Sequence, residues 1–231
     1  MSKMSNVQRS IYLLGLLLVI ASLAQAGIKG TGIALEAELA QRIEAPMKID
    51  DSDKGKGASG GKFIWMEGEP AVGGGGAGWA EFDINLSEKG EYAIWGRVLA
   101  WDGNSDSFWV TWKPTDPDED AQETQNTKFR WAVDQGNEWH WDRINAWLDG
   151  GTPERTWNID QLGKTTLRIA VREDATMLDA LFITTNVEAN DPADVNLRLP
   201  TAADRELQVT GSTAVNPNWK IATTWAHLKR Q

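Results

Sequence analysis

The apolar residues after Gly27 come in short runs separated by turn chemistry, and this pattern restricts the chain to an all-β fold. Trp79 to Leu86 alternates apolar and polar residues, and the Gly73-Gly74-Gly75-Gly76 run before it can only be a loop. Glu91 to Trp101 is the clearest long strand, and its near-continuous apolar character predicts burial on both faces. Further strands are expected at Ile33 to Leu39, Lys62 to Met66, Ser107 to Trp112, Lys128 to Val133, Trp139 to Leu148, Thr156 to Ile159, Thr165 to Arg172 and Met177 to Thr184. About ten short strands with turn-rich joins fit a single jelly-roll β-sandwich over residues 30–187. A polar insert from Lys113 to Thr127 interrupts them. Its acidic run, Pro114 to Asp120, reads as a solvated loop, with a second cation site as the alternative.

Both ends depart from this pattern. In residues 1–26, Lys3 and Arg9 precede an apolar run from Ile11 to Ala24, and Ala24-Gln25-Ala26 is a small-x-small cleavage signature. The segment reads as a signal peptide removed before Gly27, so the expected location is secreted, periplasmic or at the cell surface, with no membrane attachment after cleavage. A retained anchor is the alternative, although the run is short for a span. Residues 188–231 are polar, contain Pro192, Pro200 and Pro217, and are expected to form a linker and an irregular C-terminal tail. Trp225, Leu228, Lys229 and Arg230 close the chain at near-helical spacing, and a docking or sorting tail is the other reading.

The chain has no Cys, so in an oxidising compartment its stability has to come from core packing or a bound metal. The net charge is −10, and loss of Lys3 and Arg9 with the leader would make it −12. That balance argues against nucleic acid and anionic membranes as partners, and it is compatible with neutral glycans and divalent cations. The oligomeric state is not legible in the sequence.

Aromatic usage narrows the reading. There are 13 Trp against 5 Phe and 2 Tyr, and most of the Trp lie between Trp65 and Trp157. Indole combines a large apolar face with a donor N–H on its edge, which suits a surface that stacks on something flat and hydroxylated, such as a sugar ring. Trp101 and Trp139 stand beside turns and are the expected stacking faces, with Asn104 and Asp106 as hydrogen-bonding partners for hydroxyls. Trp95, Trp109 and Trp147 lie within strand patterns and are expected in the core.

Three carboxylates stand out. Glu36 and Glu38 are two apart, which in a strand puts both on one face. Like charges held that close are unfavourable unless a cation lies between them. Asp179 sits inside the apolar run Met177 to Ile183 and needs a partner there. Two accounts stay open: the three acids hold a hard cation such as Ca²⁺, or the two Glu face solvent and Asp179 pairs with an Arg.

From about Ile33 to Asn186 the sequence resembles the calcium-dependent carbohydrate-binding modules of families six and thirty-five. The similarity is carried by Leu35-Glu36-Ala37-Glu38, by Asp50-Asp51 leading to Ala58-Ser59-Gly60-Gly61-Lys62-Phe63, and by Gly90 to Val98. It continues through Ser105-Asp106-Ser107-Phe108, Trp139-His140-Trp141 and Arg172 to Asp179. The resemblance implies a jelly-roll sandwich, a structural Ca²⁺ held by Glu36, Glu38 and Asp179, and a polysaccharide or glycan bound at loops crowning one edge. Ala175 departs from it, standing at a turn position where the family usually has Gly.

Catalysis is not expected. With two His and no Cys, a Cys–His pair is impossible and a Ser–His–Asp triad would rest on His140, which reads as structural between Trp139 and Trp141. A polysaccharide hydrolase or lyase acting through paired carboxylates stays as one alternative, because their separation is not readable from sequence. An adhesin or matrix protein that binds another protein is the other.

Overall fold

The structure, a computed structural model, describes residues 32–116 and 120–211. The expected signal peptide, the centre of the acidic insert and the Trp219 to Gln231 segment lie outside the described residues. Among the described residues, twelve strands form two sheets in which every pairing is antiparallel. The seven-stranded sheet contains β1 (Ile33–Glu36), β3 (Lys48–Asp50), β4 (Phe63–Trp65), β6 (Gly90–Leu99), β9 (His140–Arg143), β10 (Trp157–Ile159) and β12 (Met177–Thr184). The five-stranded sheet contains β2 (Arg42–Glu44), β5 (Trp79–Leu86), β7 (Ser107–Lys113), β8 (Arg130–Ala132) and β11 (Gly163–Val171), in the order β2-β5-β11-β7-β8.

The all-β sandwich expected from sequence is what the chain forms. The main core lies between the two sheets. Leu35, Ile64, Ile94, Val98, Leu178 and Leu181 point into it from the first sheet, and Phe82, Ile84, Val110, Leu167 and Ile169 from the second. These residues alternate along their strands, so the intervening positions of the first sheet face outward. On that outer face Phe63, Trp65, Leu99 and Met177 make one buried cluster, and Ala34, Trp95 and Phe182 another. A strand buried on both faces is the physical meaning of the continuous apolar run in β6.

β12 is central and pairs with β1, β4 and β6. Its register with β6 shifts between Leu178 and Ala180, so Asp179 is the extra residue of a β-bulge. Bulges re-aim side chains at positions where a regular strand would not place them.

Two sequence expectations are revised and two strands were not expected. The run Ile33 to Leu39 stops being a strand at Glu36, and Ala37–Leu39 is a single 3₁₀ turn. Strand β9 occupies only the first part of the run Trp139 to Leu148. The strands β2 and β3 are three residues each, too short for periodicity to show.

The acidic insert is anchored at its start. Asp116 accepts from Trp112 N–H at 2.8 Å and from Trp157 Nε1–H at 2.9 Å, and pairs with Arg155 at 3.0 Å. Asp120 then caps the short helix α1 (Ala121–Thr124). Ala121 and Phe129 pack with Trp109 and Ala170 on the outer face of the five-stranded sheet and cover the part of that face formed by β7 and β11. Within the tail, a second helix, α2 (Ala202–Thr210), is started by a capping box between Thr201 and Asp204 and ended by Gly211 at φ +71°.

Candidate functional site

Strands β4, β6, β8 and β11 end, and β5, β7, β9 and β12 begin, at one rim of the sandwich. Their loops are tied together there by backbone bonds. Gly136 N–H donates to Ala100 O at 2.8 Å, Val133 N–H to Asp106 O at 2.7 Å and Ala175 N–H to Met66 O at 2.9 Å. The four residues expected to meet a ligand, Trp101, Asn104, Asp106 and Trp139, all lie in these rim loops.

Trp101 and Trp139 end a row of aromatic rings on the outer face of the seven-stranded sheet. Trp101 meets Trp65 edge-on with centroids 6.3 Å apart, Trp65 meets Phe63 at 5.7 Å, and Phe63 meets Trp139 edge-on at 5.9 Å. The two middle rings are fully buried, whereas Trp101 and Trp139 are half-buried, each seated against the cluster with part of its surface open. The Trp139 indole is oriented by its Nε1–H, which donates to Gly55 O at 3.2 Å, and by the Arg97 guanidinium 5.6 Å from its centroid. A platform with one immobilised side and one open side costs little further ordering when something stacks on it.

The polar side of the rim is partly committed to itself. Asn104 is exposed, and its N–H donates to Asp102 Oδ1 at 2.9 Å. Asp106 accepts from Gln135 Nε2 at 3.1 Å, while Glu173 accepts from Asp106 N–H at 3.2 Å and from Ser107 Oγ–H at 2.5 Å. Burial raises the Asp106 carboxyl above its ordinary range, and the neighbouring Glu173 charge adds to the rise. His140 has both ring nitrogens within 3.0 Å of the backbone oxygens of Asp134 and Glu138, which ties it to its own loop. Trp147, expected in the core, is instead half-buried in the irregular segment after β9, with Arg130 and Arg172 4.7 and 4.9 Å from its centroid.

The three carboxylates gather on the outer face beside this rim, around the turn at Ser59–Gly61. Ser59 joins two of them: its Oγ–H donates to Glu36 Oε1 at 2.9 Å and its N–H donates to Asp179 Oδ1 at 2.7 Å. Gly60, at φ +63°, lies beside the other pair, for a Cβ built on it would stand 3.0 Å from Glu38 Oε1 and 3.9 Å from Glu36 Oε1. The approach of Glu38 to Glu36 therefore arises from the 3₁₀ turn rather than from a shared strand face.

Two guanidinium groups enter the cluster. Arg97 pairs with Asp179 Oδ2, and Arg205 of helix α2 pairs with Glu36 Oε1, Nε at 2.7 Å and Nη2 at 2.5 Å. Burial pushes the Glu38 carboxyl up to about 7, and the negative charges of Glu36 and Asp179 act in the same direction. Burial also raises Asp179, to about 6, against the lowering effect of Arg97.

Among the described residues no three Asp, Glu or His side chains form a ready-made metal cluster. The donors nonetheless differ in what they have left. Both Asp179 oxygens are engaged, whereas Glu36 Oε2 and Glu38 Oε2 are buried with no hydrogen-bond donor. Two desolvated carboxyl oxygens without a hydrogen-bond donor are chemically suited to a hard divalent cation.

No family model matches this chain, and no curated protein matches it. Among solved structures it is similar to the C-terminal family 6 carbohydrate-binding module of a marine laminarinase from Zobellia galactanivorans, at 14% identity over 67% of this chain and 99% of that one, with a TM-score of 0.42. It is similar to a family 6 module of a Cellvibrio mixtus lichenase in complex with cellotriose, at 16% identity over 65% of this chain and 94% of that one, with a TM-score of 0.41. It is also similar to a family 35 module from Clostridium thermocellum, at 14% identity over 66% of this chain and 97% of that one, with a TM-score of 0.42.

Sequence reasoning missed Arg205 and Gln208, which reach the Glu36 region from residues read as an irregular tail. The signal was available in Thr201, Asp204 and Gly211, which mark the two ends of a helix.

Proposed function

We propose that this protein binds glycan without cleaving it, through indole faces at the rim of the β-sandwich. One observation carries the reading: Trp101 and Trp139 are half-open rings at the two ends of a fixed aromatic row, in rim loops that also carry the polar residues Asn104 and Asp106. Sugar rings would stack on the two indoles, and Asn104, Asp106 and the neighbouring Gln135 would meet hydroxyls. Ca²⁺, when bound, would be held by the free oxygens of Glu36 and Glu38 with Asp179 beside them, and would supply counter-charge to a buried acidic cluster rather than chemistry. Export by the amino-terminal segment is part of the same proposal.

Retention in gels containing soluble polysaccharides, together with pull-down on insoluble ones, tests the reading. Trp101→Ala and Trp139→Ala are each expected to weaken retention about fivefold, since stacking on an aromatic face is worth on the order of 1 kcal/mol and 1.4 kcal/mol is tenfold. Thermal melting of the same variants controls for folding. Full retention by both folded variants would count against the rim, and release of reducing ends would show that the protein is an enzyme.

A further inference from the structure

Helix α2 brings two side chains to the same residue of β1. Gln208, 1% exposed, donates from Nε2 to Glu36 O and accepts Glu36 N–H at Oε1, both at 2.9 Å. Its carboxamide thereby pairs with Glu36 as another strand residue would, at a position where β1 has no other described partner strand than β12. Gln41 Nε2 donates to Gln208 O at 3.0 Å and holds the end of the helix in place. Three residues before Gln208, on the same helix face, Arg205 makes its ion pair with Glu36 Oε1 and donates to Ser59 Oγ at 3.2 Å. The backbone of Glu36 is therefore satisfied by one residue of the helix and its carboxylate by another.

This matters because Glu36 is fully buried, and a buried carboxylate needs a counter-charge. Arg205 supplies one. A divalent cation held by Glu36 and Glu38, each of which has a buried Oε2 with no hydrogen-bond partner, would supply another to the same carboxylate. Two positive charges on one desolvated carboxylate repel strongly at low dielectric, so the two cannot both be held at full strength. Arg205 is also the one that can leave, since it is 37% exposed and comes from a short helix outside the two sheets.

We propose that helix α2 is a latch: Arg205 is the resident counter-cation of Glu36, and a divalent cation entering between Glu36 and Glu38 competes with it and loosens the helix. The proposal rests on the calcium reading given above and adds to it a coupling with the tail. Coupling of this kind is reciprocal. Whatever weakens the helix contact strengthens cation binding by the same factor, and cation binding weakens the helix contact.

The test is calorimetric titration of Ca²⁺ into the full chain as wild type, Arg205→Gln and Gln208→Ala, with amide hydrogen exchange of residues 202–210 measured with and without Ca²⁺. Arg205→Gln is expected to bind Ca²⁺ at least tenfold more tightly than wild type, and Gln208→Ala to show a smaller gain. Saturating Ca²⁺ is expected to speed exchange across the helix in the wild type. Should Arg205→Gln not fold, the other two proteins still decide the matter. Ca²⁺ binding of equal affinity in every folded protein, with helix exchange unchanged, would overturn the latch and leave the calcium reading standing. No Ca²⁺ binding in any of them would remove the calcium reading and the competition with it.

Discussion

Replacing Gly96 by alanine is expected to cost about 3 kcal/mol of stability, at the upper end of what overpacking a core usually costs. Gly96 lies mid-strand in β6, where a residue without a side chain is a liability, so its presence there needs a reason. The reason is Trp131. A Cβ on Gly96 would stand 2.2 Å from Cη2 of the Trp131 ring and 3.2 Å from Leu178 Cδ1. The ring cannot step aside, because it is fully buried and its Nε1–H is held by Asp142 Oδ2 at 2.6 Å. Phe108 packs on it from another side, with centroids 5.7 Å apart. In thermal melting the loss corresponds to a fall of roughly 6–12 °C for a domain of this size. Combining Gly96→Ala with Trp131→Phe should cost less than the sum of the single changes, since both act on one contact. A Gly96→Ala protein that melts within a degree or two of wild type would mean that the indole does not sit over β6.

The sandwich itself was legible because burial imposes a period of two on exposed strands and a continuous apolar run on central ones. The span of β5 and that of β12 are as expected, and β6, β7 and β11 differ by a residue or two at their ends. What escaped is what periodicity does not encode. Three-residue strands such as β2 and β3 are set by tertiary pairing with β5 and β4. The turn after Glu36 and the bulge at Asp179 are local breaks in strand geometry, and they bring carboxylates together by a route different from the strand-face rule. The partners of those carboxylates are further from reach. Arg205 is 169 residues from Glu36, and no spacing rule connects them. Placing Trp101 and Trp139 beside turns was enough to put them at the rim, but their half-burial depends on Trp65 and Phe63 beneath them.

Asp142 gives the protein a pH dependence of its own. It lies opposite Gly96 in the pairing of β6 with β9, 9% exposed, and burial pushes its carboxyl up to about 8, with the negative charges of Asp134 and Glu154 adding to the rise. The folded protein therefore holds a proton on Asp142 between about pH 4 and pH 8 that an unfolded chain, with an ordinary Asp near 3.9, has already released. Stability falls with rising pH wherever the folded state binds more protons than the unfolded one. The contribution is fully present below pH 4, declines as pH rises to about 8, and is constant above that. One proton held by the folded state alone costs about 1.4 kcal/mol for every tenfold fall in proton concentration, so the loss over the window is on the order of 5 kcal/mol. In Asp142→Asn the side chain stays neutral at every pH and its amide oxygen can still accept the Trp131 Nε1–H. Urea denaturation from pH 4 to pH 9 should then show a shallower loss of stability for the variant than for wild type. The difference should open between pH 5 and pH 8, whatever offset the amide introduces at pH 4, where both side chains are close to neutral. Parallel pH profiles for the two proteins would mean that Asp142 is solvated or ionised in the native state, and that the Trp131–Asp142 contact does not close off this part of the core.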